Sequence, residues 1–442
     1  MRRRHRRNAS LVVAAVVLAV AGGVGLYLAI GRSSEPAPGA GTLAPSPAAV
    51  VPVVGAQFSY GFDLAQQGPY SDAQESPDAV ASARRVIASI PGLLEVTPIM
   101  GWGLPSPEPS PGVYDLSALA GRISLIQSTG GTPVVTLCAA PDWMKRGTGT
   151  DTAPTPDHYG DFAALAAKIA ASFPQVKYFV VWNEFKGFWN ATANDWNIQG
   201  YTAMYDEVYR AVKQVRPDAQ VGGPYAVLPT LDRPVAKTLP TSPQGPWGFV
   251  DQRTVNALSY WLGHAAGADF VAVDGRDFLP SGALTTDPLT ASEKYAAVDQ
   301  WLSARTSLPI WWMESHIQPD NSGWSPERAA AVRVAALLQM ASSGARVGMQ
   351  WQPQQGEGIS DEGLWTATET ASGGRPTVLA QVLPRVLEVL RRPVTAVPGQ
   401  PPGVLVVSGA SGTIAVNTTA GALSALVDGK RVPLPAGGVR VL

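Results

Sequence analysis

Eight apolar runs of strand length alternate with segments of helical periodicity along most of this 442-residue chain. Runs that are apolar throughout, rather than at every second residue, are typical of strands buried on both faces of a parallel sheet. They cover residues 56–64, 95–103, 132–140, 177–184, 219–225, 269–275, 309–316 and 346–352. A strand–helix alternation repeated eight times is the pattern of a closed (β/α)8, or TIM, barrel. The sequence therefore predicts an α/β fold of this kind over residues 54–391.

The main alternative is a doubly wound α/β sheet, which usually carries a glycine-rich phosphate-binding turn after its first strand. The corresponding stretch here, GFDLAQQGPYSD, is not such a turn. The clearest helix lies in SPERAAAVRVAALLQMASSG, where Ser325 suits the N-cap, Pro326 the first turn and Gly344 the termination. A last helix at 376–391 should be kinked by Pro384.

The amino-terminal segment is typical of a membrane anchor. Residues 1–10 are basic, and residues 11–30 contain no charge. A run of this length can span a bilayer, and the arginines favour a cytoplasmic start. We therefore predict a single-pass signal-anchor in the cell membrane, with everything that follows it outside the cytoplasm. The alternative is a cleaved signal peptide and a secreted protein, although LYLAIGRSS offers no clean cleavage site.

Two further segments flank the predicted barrel. Residues 31–53 are rich in Pro, Ala and Gly, which predicts an extended linker that holds the folded domain away from the membrane. Residues 392–442 are β-branched, punctuated by glycine and without helical periodicity. This tail is expected to form a small antiparallel, sandwich-like β domain packed on the barrel.

Composition excludes several classes of function. The net charge is −1 and only 15% of residues are charged, so nothing indicates a nucleic-acid partner. The four histidines lack metal-ligand spacing such as HExxH, and neither a G-x-S-x-G elbow nor a P-loop occurs. The single cysteine, Cys138, lies in an apolar run and is expected to be a buried structural thiol. We expect no metal, no cofactor and no obligate protein partner.

Two of the eight predicted strands end on a glutamate. Glu184 ends the fourth and Glu314 the seventh, and the carboxyl ends of barrel strands are where catalytic groups lie. Because these strands face each other across the barrel mouth, the two carboxyl groups can converge on one bond. Glycosidic bond cleavage needs such a pair: one protonates the departing oxygen, and the other attacks or stabilises the oxocarbenium-like centre. Apolar neighbours, Trp182 and Phe185, should raise the proton affinity of Glu184 and suit it to the acid role.

Several polar and aromatic residues at the same strand ends are candidates for sugar binding. Asn183 can donate an amide hydrogen bond to the hydroxyl beside the reacting carbon. Trp351 and Trp102, and also Trp143, can offer indole faces to the sugar ring, although a single Trp is more often part of a core. His316, two residues after Glu314, can contact substrate, with a loop hydrogen bond as the alternative.

The motifs FVVWNEF and WWMES, together with PGVYDLSALAGRISLIQSTGGTPVVTLCAAPDWM at 111–144, resemble the retaining (β/α)8 glycoside hydrolases. Within that clan the chain is most similar to family 39, the β-xylosidase and α-iduronidase type, whose members also carry a small β-rich domain. The resemblance covers roughly residues 56–442. It implies that Glu184 is the general acid/base and that Glu314 is the nucleophile.

The sixth predicted strand departs from the family pattern. It reads FVAVDGRDF, with Asp274 and Arg276 where such enzymes often have a His or Tyr. Asp274 is therefore a candidate substrate-binding residue. One hypothesis is that Arg276 binds an acidic sugar or orients Glu314, and the alternative is a surface ion pair with Asp274 or Asp277.

These observations favour an extracytoplasmic retaining glycosidase that acts on a polysaccharide or oligosaccharide, for example of the cell wall. Water would resolve the glycosyl-enzyme, with the acid acting next as the base. Two alternatives stay open: a transglycosylase, in which a sugar replaces the water, and a carbohydrate-binding barrel that has lost turnover. The altered sixth strand is what keeps the second alternative in play.

Overall fold

The computed structural model describes residues 57–63, 75–233, 242–319, 322–356 and 362–442. The predicted cytoplasmic segment, anchor and linker, residues 1–10, 11–30 and 31–53, lie outside these ranges. Within them, no helix combines the length and the apolar character needed to cross a lipid bilayer.

Eight parallel strands close into a barrel, and each strand pairs with its neighbours in sequence, the last with the first. They are β1 (Ser59–Asp63), β2 (Leu94–Pro98), β3 (Thr132–Leu137), β4 (Tyr178–Val181), β5 (Gln220–Val227), β6 (Phe270–Arg276), β7 (Ile310–His316) and β8 (Val347–Gln350). All eight coincide with the predicted runs, so the barrel is confirmed. The second strand ends earlier than predicted, because Gly101, Trp102 and Gly103 turn the chain with positive φ angles.

Eight α-helices in the described ranges surround the strands. They are α1 (Pro77–Ala88), α2 (Ser117–Ser128), α3 (Tyr159–Ser172), α4 (Ile198–Val215), α5 (Gln252–His264), α6 (Pro288–Ser303), α7 (Pro326–Ser343) and α8 (Val378–Leu390). Helix α7 has the predicted ends: Ser325 accepts a hydrogen bond from the Arg328 amide, and Gly344 has a φ of 103°. Pro384 lies inside α8, which runs on through it.

The barrel interior is a packed core rather than a channel. Its buried cluster is apolar and draws on seven of the strands: Leu94, Val96, Val134, Val180, Tyr225, Phe270, Ala272, Trp311, Met313, Val347 and Met349. Trp311 stacks on Phe270 with ring centroids 4.2 Å apart. Gly222 makes this possible, because it lies directly against the Phe270 ring. The filled interior leaves the carboxyl ends of the strands as the open face of the barrel.

The tail after α8 forms two antiparallel layers. One is a four-stranded sheet and the other a hairpin, made of β9 (Val394–Ala396), β10 (Val404–Gly409), β11 (Gly412–Asn417), β12 (Leu423–Val427), β13 (Lys430–Leu434) and β14 (Val439–Val441). The sheet order is β9-β10-β11-β14, and β12 pairs with β13. Val406, Ala415 and Ala425 belong to a small core that these strands share. The outer face of the sheet joins the main core of the barrel helices through Val407 and Ile414.

The tight contact beneath Phe270 predicts that Gly222→Ala destabilises the fold. A Cβ at this position would lie 2.2 Å from Phe270 Cε2, and overpacking of this kind costs about 1–3 kcal/mol. Urea denaturation should show a lower midpoint for the variant. Gly263→Ala is the matched control, because its methyl group on α5 meets open space and removing a helical glycine stabilises by up to about 1 kcal/mol. Equal midpoints for the two variants would contradict the packing described.

Candidate active site

Three carboxyl groups meet at the open face of the barrel. Glu184 follows β4, Asp274 lies on β6 and Glu314 on β7, and one oxygen of each lies within 4.8 Å of the others. Glu314 is 5% exposed and Asp274 is 2% exposed, whereas 22% of the Glu184 side chain is exposed. The structure thus brings together the two glutamates singled out in the sequence and Asp274, which the sequence offered as a substrate-binding candidate.

A turn of left-handed backbone presents Glu184. Trp182, Glu184 and Phe185 have φ angles of 69°, 55° and 54°, a region that costs a non-glycine residue about 1 kcal/mol or more and is concentrated at functional sites. The Trp182 and Phe185 side chains are buried in the core, and the Trp182 indole donates to the Lys186 carbonyl oxygen at 2.7 Å. These two anchors leave the intervening Glu184 at the barrel mouth.

Tyr225 and His316 hold Glu314. The Tyr225 hydroxyl, at the end of β5, donates to Glu314 Oε1 at 2.6 Å. His316 Nε2 lies 3.5 Å from Glu314 Oε2, and its ring stacks on Trp351 with centroids 4.6 Å apart. Burial lowers the pKa of His316, so the imidazole is neutral at physiological pH. One carboxylate oxygen is therefore fixed by a phenol, and the other faces an aromatic pair.

Lys186 overturns the expected electrostatics of Glu184. Its Nζ lies 2.6 Å from Glu184 Oε2 and 3.8 Å from Asp151 Oδ1. Burial by itself disfavours the charged carboxylate, but the Lys186 ammonium and hydrogen bonds hold the pKa of Glu184 below its usual value. The prediction that Trp182 and Phe185 raise its proton affinity is wrong, because both side chains point into the core and the nearest charge is a cation.

Asp274 behaves in the opposite way. Burial raises its pKa well above the usual value, and the charges of Glu184 and Glu314 raise it further. It forms a hydrogen bond with Glu184. Its Oδ2 atom has no hydrogen-bond partner among the residues that the structure describes. The surroundings therefore favour the neutral form of Asp274 and the ionised form of Glu184.

The other predicted residues divide into two groups. Trp102 and Trp351 border the carboxyl cluster: the ring centroid of Trp102 lies 5.3 Å from Lys186 Nζ, and Trp351 stacks on His316. Asn183 is 8% exposed, and in the described ranges its Oδ1 has no hydrogen-bond partner. Trp143 instead donates to the Glu108 carbonyl oxygen at 2.9 Å in the loop after β3.

The Arg276 side chain, at the end of β6, lies over an aromatic ring. The guanidinium lies 5.6 Å from the centre of the Phe278 ring. The Arg276 carbonyl accepts a hydrogen bond from Lys294 at 2.6 Å. Asp277, its suggested partner, is fully buried, and burial raises its pKa to about 8. A role of Arg276 towards an acidic sugar stays a hypothesis.

Sequence reasoning missed Lys186 and Tyr225. Lys186 stands two residues after Glu184, and Tyr225 follows GGP at the end of the fifth predicted strand. Both residues lie at the carboxyl ends of predicted strands, as Glu184 and Glu314 do. A search of all eight exits for hydrogen-bond donors, and not only for acids, would have found them.

Comparison with known proteins gives structural but not sequence matches. No protein-family model matches the chain, and no curated protein does. A family 39 glycoside hydrolase from Bacteroides cellulosilyticus WH2 has a TM-score of 0.56 at 16% identity, covering 89% of this chain and 81% of that one. A family 39 β-xylosidase from Caulobacter crescentus gives 0.51 at 15%, covering 86% and 80%. An endo-β1,6-glucanase gives 0.57 at 12%, covering 88% and 92%. The resemblance to family 39 is thus confirmed at the level of the fold.

The contact between Lys186 and Glu184 predicts a pH-dependent loss of stability in Lys186→Met. A carboxyl whose folded pKa is lowered stabilises the protein above its unfolded pKa of about 4.3, and this contribution is lost as the pH falls through the folded value. Without the ammonium, burial raises the Glu184 pKa instead. We expect the variant to be about 1–3 kcal/mol less stable near neutral pH, with the deficit narrowing towards about pH 4.

Thermal or urea denaturation across this pH range measures the difference. Lys430→Met, an exposed lysine on the β13 strand, is the control and should show little change. A deficit of Lys186→Met that is the same at every pH would rule out the ion pair as its cause.

Proposed function

We propose that this protein is a retaining glycoside hydrolase that uses two glutamates. The observation that carries the proposal is the convergence of Glu184 and Glu314, whose oxygens lie within 4.8 Å of each other at the open end of the barrel. Retaining enzymes place their two carboxyl groups about 5–5.5 Å apart, so that one of them can attack directly. Inverting enzymes place theirs about 6.5–9.5 Å apart to admit a water, so the approach of these two oxygens favours the retaining geometry.

In the proposed mechanism Glu314 attacks the anomeric carbon. The Tyr225 hydroxyl fixes one of its oxygens at 2.6 Å and leaves the other to form the bond to the sugar. Glu184 delivers a proton to the departing oxygen and then takes one from the incoming water, which releases the sugar from Glu314. This sequence of two displacements retains the configuration of the anomeric carbon.

The residues around the carboxyl cluster support a sugar as the occupant. The Asn183 amide lies beside Glu184 with an unsatisfied oxygen, as counted over the described ranges. Partly exposed indoles, Trp102 and Trp351, flank the cluster and can pack against the C–H faces of a sugar ring. The β-xylosidase and the endo-β1,6-glucanase among the structural neighbours support an O-glycoside of a polysaccharide or oligosaccharide as substrate.

The sequence also supports a place of action. The uncharged run at 11–30 after a basic start would anchor the chain in the cell membrane with the barrel on the extracytoplasmic side. The linker at 31–53 would let the barrel reach polymers of the cell envelope. Cell-wall polysaccharides are therefore included among the candidate substrates.

A second function is favoured by one observation, the ion pair between Lys186 and Glu184 at 2.6 Å. A carboxylate kept ionised by an ammonium group is poorly suited to donate a proton. On this reading the barrel binds carbohydrate without turning it over.

The two readings are separated by turnover and covalent trapping. On a panel of aryl glycosides and cell-wall polymers, a retaining hydrolase releases product, and a fluorinated glycoside adds one sugar mass to the Glu314 peptide. Glu184→Gln should reduce kcat/KM by about 100-fold or more, and Glu314→Gln should abolish trapping. Glu388→Gln, an exposed glutamate on α8, is the control. A wild-type protein that binds a glycan but is never labelled would establish the second reading.

The contact between Tyr225 and Glu314 gives a further prediction. Tyr225→Phe keeps the buried ring and removes only the donor to the nucleophile. Hydrogen bonds to charged groups contribute about 1.5–3 kcal/mol, so kcat/KM should fall about 10- to 100-fold. Tyr205→Phe is the matched control, because its hydroxyl donates to the Gly267 carbonyl at 2.9 Å, away from the carboxyl cluster. Equal losses in the two variants would mean that Tyr225 acts through the fold alone.

A further inference from the structure

The proposed reaction needs a proton that Glu184 does not hold at rest. Its Oε2 is 2.6 Å from the Lys186 ammonium, a contact that favours the ionised carboxylate. The first displacement nevertheless requires a proton for the departing oxygen. The proton donor must therefore lie within reach of Glu184.

We propose that Asp274 stores this proton and passes it to Glu184, so that the two residues act together as the acid/base of the reaction. The proposal rests on the proposed function of the same site. It goes beyond the two-glutamate mechanism, because it gives a catalytic role to a third carboxyl group on a different strand.

The strand register places Asp274 in this position. On one side of β6, Val273 pairs with Trp312, and Asp274 pairs with Glu314, so that β7 carries one extra residue, Met313. On the other side, Ala272 pairs with Pro224 and Val273 with Ala226, which leaves Tyr225 as an extra residue of β5. Such bulges re-aim side chains and are frequent next to active sites. Two of them at one level bring Tyr225 and Glu314, from the strands on either side, to the level of Asp274 on β6.

Charge explains which group carries the proton. The groups that act on Asp274 come from four elements: Glu184 and Lys186 after β4, Tyr225 on β5, Glu314 on β7, and Lys294 and Tyr295 on α6. The Lys186 ammonium is taken by Glu184, and the Lys294 amine donates to the carbonyls of Leu228 and Arg276.

Three ionised carboxylates within 4.8 Å of each other would repel strongly. The acid with the least exposure, and with an oxygen that has no partner in the described ranges, is Asp274. One proton shared by Asp274 and Glu184 relieves this repulsion. Its titration belongs to the pair rather than to either residue.

Protons and bonds balance in both displacements of the reaction. In the first, the bond from the anomeric carbon to the leaving oxygen breaks and the bond to Glu314 forms. The leaving oxygen takes a proton from Glu184 as the Asp274 proton moves to Glu184, and Lys186 remains beside the two carboxylates. In the second, water attacks the anomeric carbon, the bond to Glu314 breaks, and the proton lost by water restores the shared pair.

The first test compares two substrates in the Asp274→Asn variant. Asparagine keeps the volume and can still donate a hydrogen bond to Glu184, but it has no proton to transfer. Phenyl and dinitrophenyl β-xylosides and β-glucosides serve as probes, because phenoxide needs protonation to depart and dinitrophenoxide does not. We expect kcat/KM to fall about 100-fold or more for the phenyl glycosides and only a few-fold for the dinitrophenyl ones. Equal losses on both would overturn the proposal.

The matched control is Asp277→Asn. This residue is also a fully buried acid, its pKa is raised by burial to about 8, and it has no part in the proposed reaction. Its replacement should leave the ratio of kcat/KM for the phenyl and dinitrophenyl glycosides unchanged. The same change of ratio in Asp277→Asn would assign the effect to the loss of any buried acid.

The second test does not depend on turnover. Infrared spectra at neutral pH should contain a C=O stretch of a protonated carboxyl group that is absent from Asp274→Asn and present in Asp277→Asn. No lost band in Asp274→Asn would overturn the proposal. If the band is present but the wild type cleaves nothing in the panel of aryl glycosides and cell-wall polymers, the proposed function fails. The catalytic use of the proton fails with it, although the shared proton itself stands.

Discussion

Mutual repulsion among three carboxyl groups is the constraint around which the open face of this barrel is organised. Glu184, Asp274 and Glu314 present oxygens within 4.8 Å of each other, in surroundings where charges are weakly screened. Each has a different environment: Glu184 contacts the Lys186 ammonium, Glu314 accepts a hydrogen bond from the Tyr225 phenol, and burial favours the neutral form of Asp274. The same set of strand ends thus lowers the pKa of Glu184 and raises that of Asp274. That separation is what acid/base chemistry at one site requires.

Buried contacts on the far side of β6 and β7 hold the carboxyl ends of these strands in place. Below β6 the barrel is filled by stacked rings, and behind β7 the Arg333 guanidinium donates to Ser315 Oγ at 2.7 Å and to its carbonyl at 3.1 Å. Arg333 also pairs with Glu362, whose carboxylate accepts from the Ile317 amide at 2.8 Å. The position of Glu314 is therefore set by buried ionic contacts on the far side of its strand.

The sequence was sufficient for the barrel and for the three acids as candidates, but not for the contacts that join them. Eight apolar runs marked the strands because burial on both faces leaves little choice of residue. Side chains alternate along a strand, so Glu314 would point to the same side of β7 as Trp312. The Trp312 side chain lies outside the barrel and donates to Asp299 at 2.8 Å. Only the extra residue at Met313 turns Glu314 inward beside Asp274. A register shift of this kind depends on the neighbouring strand, and no local pattern records it. The direction of the Lys186 side chain could not be predicted either, because it depends on where Trp182 and Phe185 are buried.

The start of the barrel and the end of its last helix meet at one seam of the cylinder, where β8 pairs with β1. The Phe58 amide, just ahead of β1, donates to the Leu390 carbonyl at the end of α8. The carboxy-terminal sheet covers the same seam, and Arg328 on α7 reaches across to the Thr418 carbonyl at 3.0 Å. A pull on the amino-terminal side would therefore act first on the pairing of β1 with β8. The terminal sheet would resist such a pull by holding α7 and α8 in place, although it contributes no residue to the carboxyl cluster.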